Sequence, residues 1–122
     1  MKIEPKGSES AELSSDGSFV MIRIPVWISG EHPVGATRLR YTVGSFMGRE
    51  SDVPARSLQT QLTIRVPKEI FRSRSRLTVE VFSFNKEGRE NILWSAHYEA
   101  GWSGNVPHLQ PVADLLGDAP HG

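Results

Sequence analysis

The chain has 122 residues, enough for one domain with a proper hydrophobic core, and its 38% hydrophobic and 23% charged residues are ordinary for a globular protein. Fourteen basic residues balance fourteen acidic ones, which argues against nucleic acid as the target, and the lack of cysteine excludes disulfides, thiol nucleophiles and thiolate metal sites. The balance hides a gradient: three basic against five acidic residues over 1–37 (−2), nine against three over 38–76 (+6), and two against six over 77–122 (−4).

Residues 1–16 are polar and rich in Ser and Glu, and read as a flexible N-terminal arm with a short strand near Ala11–Leu13. No basic segment followed by an apolar run is present there, so no signal peptide is expected, and no stretch is long and apolar enough to insert in a membrane. In SFVMIRIPVWI, Val20, Ile22, Ile24, Val26 and Ile28 share one side at period two, the mark of a half-buried strand; Phe19, Met21, Arg23, Pro25 and Trp27 share the other. Pro25 cannot donate to a ladder, which predicts that this strand is at an edge or bulged there. After turn chemistry in SGEHPVGA, RLRYTV puts Leu39, Tyr41 and Val43 inward. Residues 44–55 read as a longer loop or weak edge strand, and SLQTQLTIRV as a strand with Leu58, Leu62, Ile64 and Val66 on one face, ended by Pro67. In LTVEVFSF, Leu77, Val79 and Val81 oppose Thr78, Glu80, Phe82 and Phe84; Asn85-Lys86-Glu87-Gly88 then turns the chain into ILWSAHYEA, with Ile92, Trp94, Ala96 and Tyr98 on one face. Only PVADLL has helical spacing: Val112, Leu115 and Leu116 sit at i, i+3 and i+4, with Pro111 in the first turn.

Short alternating strands separated by turn signals predict an all-β fold, an antiparallel β-sandwich over 17–102. The expected organisation is a flexible arm at 1–16, that domain, and a Pro/Gly-rich tail at 103–122 with a short helix at 112–116. The spacing of Leu77, Val79, Val81, Ser83, Asn85 and Gly88 resembles the penultimate strand of fibronectin type III domains, within the immunoglobulin-like sandwiches, over about residues 18–100. The family's corner motif falls on Phe71, Ser73, Ser75 and Leu77, and its core tryptophan and strand tyrosine on Trp27 and Tyr41. Leu77 replaces the corner tyrosine and Ser73 the family proline, so the hydroxyl tie of that corner is missing. The resemblance implies a spacer or binding module, not a chemistry.

No phosphate loop, nucleophile elbow or acidic calcium loop occurs, and His32, His97, His108 and His121 are dispersed, so no enzyme, metal or cofactor is expected. Arg72, Arg74 and Arg76 either form a period-two anion-gripping stripe or keep a connecting loop soluble. Phe19, Met21 and Trp27, and likewise Phe82 and Phe84, give their strands a second apolar face that the chain's own arms or another subunit would cover. The expected function is a non-catalytic protein-association or structural module, an oligomer-forming or surface-decorating subunit, with Val112, Leu115 and Leu116 docking on the same domain or a neighbour. The alternative is carbohydrate binding through Trp27, Trp94 or Trp102.

Overall fold

The computed structural model describes residues 1–31, 35–54 and 56–112. Ten strands form: β1 (Lys2–Pro5), β2 (Ser10–Leu13), β3 (Phe19–Ser29), β4 (Thr37–Val43), β5 (Phe46–Met47), β6 (Ser51–Asp52), β7 (Leu58–Pro67), β8 (Arg76–Phe84), β9 (Glu90–Ser103) and β10 (Val106–Pro111). They build two antiparallel sheets. In the first, β1 and β2 follow one another along one side of β3, and β7 lies along its other side. The second runs β10-β9-β8-β4, with β5 and β6 in succession on the outer side of β4.

The core lies between the sheets and follows the period-two pattern. Val20, Ile22, Ile24, Val26 and Ile28 of β3 meet Leu77, Val79 and Val81 of β8, with Tyr41, Tyr98 and Phe71 among them. Burial of each aliphatic side chain contributes about 1.5–3 kcal/mol.

Pro25 explains the divided first edge. β3 is the middle row of its sheet and pairs with β7 in unbroken register from Phe19 to Ile28, so the expectation of an edge position is corrected. The Pro25 carbonyl accepts from Lys6 N at 2.8 Å, so the side that lacks an N–H faces β1 and β2. Opposite it the neighbouring chain bulges over residues 6–9, with Gly7 at φ 118°, and pairing resumes two residues out of step. The bulge is in the partner, and β3 keeps its alternation; Trp27 therefore stays on the outer face, and the resemblance's core tryptophan is not reproduced.

Both terminal segments do more than the composition suggested. Residues 2–13 are sheet, with Ile3 buried in the core, in place of a loose arm. Within the expected tail, Val106 to Pro111 form β10, and Val112 N continues the ladder by donating to the His97 carbonyl at 2.8 Å. Pro111 is thus a strand residue, not the first turn of a helix; Leu115, Leu116 and the rest of 113–122 lie outside the described residues, as does His32.

The β8–β9 hairpin closes through Asn85, whose Oδ1 accepts from Glu87 N and Arg89 N, with Gly88 at φ 78°. Between the Val81–Trp94 and Phe82–Ile92 pairs, β9 carries one extra residue, Leu93. That bulge turns Ile92 to the outer face, where the simple alternation had placed it with Trp94.

Candidate interaction surface

The open edges of two sheets are where this fold can add a strand, because each presents unpaired N–H and C=O groups. Three of the four edges are blunted. Along β10, Val112 N points to β9, so by alternation Pro107 and Pro111 lie where the N–H would face outward. On the β1/β2 edge, Lys6 N points to β3, which puts Pro5 at an outward position, next to the 6–9 bulge. β5 and β6 are two residues each.

The fourth edge is different. β7 runs ten residues and, among the described residues, pairs only with β3. The Arg65 carbonyl accepts from Tyr41 Oη at 2.6 Å across the gap between the sheets, so the 59, 61, 63 and 65 groups are the outward ones. None of the remaining outward groups, the Gln59, Gln61 and Thr63 amides and carbonyls and the Arg65 N–H, has a partner among the described residues.

Beside this edge is a cleft of about 490 Å³, lined by Phe19, Tyr41, Phe46 and Ile64 with Arg49, Glu50 and Arg65 at its polar rim. Burial pushes the Tyr41 phenol up, which keeps it protonated as the donor to Arg65. The Arg65 guanidinium stacks over Phe19 at 4.1 Å. Arg49, Arg56 and Arg65 have no carboxylate within 4.0 Å among the described residues, whereas Glu50 and Asp52 both reach Arg38 at 3.9 Å.

Of the described residues singled out from the sequence, Phe19 lines this cleft and the others lie elsewhere. Phe19 and Met21 are half-buried on the outer face of β3; Trp27 on that face is 37% exposed. Arg72 and Arg74 lie in the β7–β8 connection and only Arg76 opens β8, so the three form no strand stripe. Arg74 adopts φ 71° and is held by its N–H to the Ala100 carbonyl at 2.8 Å. Phe82 is fully buried, although on the outer face of its sheet. Its cover is Arg40, 4.3 Å above the ring and fixed by Glu80 (2.9 Å) and by two bonds to Glu90 (2.7 and 2.9 Å), while Phe84 packs edge-on at 5.7 Å and is itself exposed. Arg40 in turn holds the Glu90 carboxyl below its usual range. Phe82 is thus closed over by a guanidinium and two carboxylates, while Phe84 and Ile92 on the same face stay exposed.

Trp102 has a structural task. Its indole Nε1 donates to the Phe71 carbonyl at 2.6 Å, and its ring meets Phe71 edge-on at 5.8 Å. It thereby ties β9 to the β7–β8 connection. Trp94 faces the core from β9, which leaves Trp27 as the exposed tryptophan among the three.

The sequence reading missed Arg49, Tyr41 and Arg65 as neighbours. The available signals were the positive centre of the chain and the run from Leu58 to Val66 without proline. Among the described residues no cluster of His, Asp and Glu is arranged to hold a metal ion. No protein-family model, no curated protein and no solved structure matches this chain.

Proposed function

We propose that the protein is a non-catalytic association module on a fibronectin III-like sandwich, working by addition of a partner strand to β7. The supporting observation, among the described residues, is one long, unblunted sheet edge beside an apolar cleft whose arginines lack carboxylate partners. Strand addition satisfies the backbone groups, and the cleft reads alternate side chains of the added strand. The family reading is supported by strand order. Counting β1/β2 and β5/β6 as single rows, rows one, two and five form one sheet and three, four, six and seven the other. Immunoglobulin-like sandwiches divide their first, second and fifth strands from the third, sixth and seventh in the same way. β10 is an additional row.

Thr63→Pro tests the association reading, since the lost N–H is an outward one and the β3 ladder keeps its bonds. Association, whether with itself or with a purified partner, should weaken at least tenfold while the melting temperature stays within a few degrees. Amide exchange at 59, 61, 63 and 65 should slow on association. If the associated protein leaves these amides fast and protects another surface, the β7 reading is lost.

A second reading rests on Trp27, which lies in register between Glu4 and Gln59 on an open face. An aromatic face with polar neighbours is suited to stack on a sugar ring and bond its hydroxyls. A glycan array probed with the parent and Trp27→Ala decides it: no ligand for the parent ends this reading.

A further inference from the structure

We infer that the strand added to β7 is the C-terminal segment around Asp114–Asp118 of a second copy of the chain; this rests on the association reading above. The first consideration is charge. The cleft beside the edge presents Arg49 and Arg65 without carboxylate partners among the described residues. An incoming strand that brings carboxylates gains charge-assisted bonds to guanidinium groups in a partly desolvated cleft.

A second β7 offers no such gain. From Arg56 to Lys68 the chain contains three basic residues and no acidic one. Two copies of β7 paired antiparallel about Gln61 would set Arg65 of one opposite Ser57 of the other and Arg56 opposite Val66, so the added row would bring no carboxylate to either arginine. The segment ADLLGD, residues 113–118, has the complementary make-up: two carboxylates around a Leu-Leu pair. On an added strand Leu115 would face opposite to Asp114, Leu116 and Asp118, because side chains alternate. One apolar side chain is then directed at the floor of Phe46, Tyr41 and Ile64 while the carboxylates share the outer face with Arg65, and Arg49 adds positive charge from the cleft.

Reach excludes the copy's own edge. Asp114 is two residues beyond Val112, a span of about 7 Å when extended. Val112 is the last described residue of the β10 row, and β10 is three strand spacings, about 14 Å, from β4, the strand of its sheet whose Tyr41 reaches β7. The contact must therefore be made in trans. Edge and donor segment are different surfaces, so the contact is head-to-tail and generates a ring or an open row of copies.

Charge exchange in the full chain tests this. By sedimentation velocity, the parent should pass from monomer to larger species as concentration rises, and the transition should move to higher concentration with added salt. Arg49→Glu with Arg65→Glu should raise that concentration at least tenfold, and Asp114→Lys with Asp118→Lys should do the same. Mixing the two double variants should restore association, because the reversed edge of one then meets the reversed segment of the other. Thr63→Pro should abolish it by the backbone route, and the charge variants keep the test valid if that proline unfolds the strand. A parent that remains monomeric at millimolar concentration overturns the inference. Association that survives Asp114→Lys with Asp118→Lys, and still protects the β7 amides, also overturns it while leaving the edge reading in place with another occupant. Failure of the mixture to recover association does so too.

Discussion

β7 and β10 are both edge strands, yet they are prepared for opposite fates. β10 places Pro107 and Pro111 at positions where a strand would otherwise offer outward N–H groups, and only Leu109 is left to donate on that side. β7 has no proline before its last residue and offers four outward N–H groups in a row. The side chains do not separate the two, since the outer faces of both carry polar residues. The lesson is that the openness of an edge is set by backbone donors, and a proline acts only when its parity puts the missing N–H on the free side.

The largest way to break the comparison is to remove what supports both edges. Phe71 is buried under the β7–β8 corner and contacts the Trp102 ring of β9, the strand that carries β10. Phe71→Ala should cost about 3–5 kcal/mol in denaturant unfolding, through lost burial and a residual cavity. Trp102→Phe is narrower: it keeps the ring and leaves the Phe71 carbonyl without its donor, for an expected loss of about 1–2 kcal/mol. Amide exchange in that variant should quicken along β9 and β10 before it does in β7. Equal acceleration in both would mean that Trp102 supports the whole core and not this corner.

Reversing the prolines sharpens the comparison directly. Pro107→Thr with Pro111→Thr gives β10 two new outward donors. Self-association through β10 should appear in sedimentation, at a stability cost below about 1 kcal/mol from the freer unfolded chain. A double variant that associates no more than its parent would show that something other than the prolines keeps this edge closed.

The smallest effect is one of pH. Tyr98 is paired in register with Pro111, and burial, aided by the charge of Glu9, pushes its phenol from 10.0 up to about 12. The folded state therefore favours the protonated phenol. Its contribution is intact below about pH 10 and is lost as pH rises through about 12, because the unfolded chain ionises first. Tyr98→Phe should flatten the fall of melting temperature over that window. Tyr41, also shifted upward, should leave part of the slope in place.

Period two determined which residues face the core. Val20, Ile22, Ile24, Leu77, Val79 and Val81 are all buried where the alternation puts them, and the Asn85–Gly88 turn is where its residue types put it. The alternation is a local property of the extended backbone, so it can be read without knowing what the strand pairs with. Neighbour and row are not local. Pro25 looked like the mark of an edge, but β3 is central because a bulge in residues 6–9 meets the missing donor. Phe82 called for a cover from an arm or another subunit, but Arg40, forty-two positions earlier, covers it. A one-residue insertion at Leu93 reversed Ile92, and Trp102 reaches the Phe71 carbonyl, thirty-one positions earlier. Whether β7 has a second neighbour is likewise a matter of long-range pairing. Its own ten residues fit a central strand as well as an edge, and only the assembled sheets leave one side of it open.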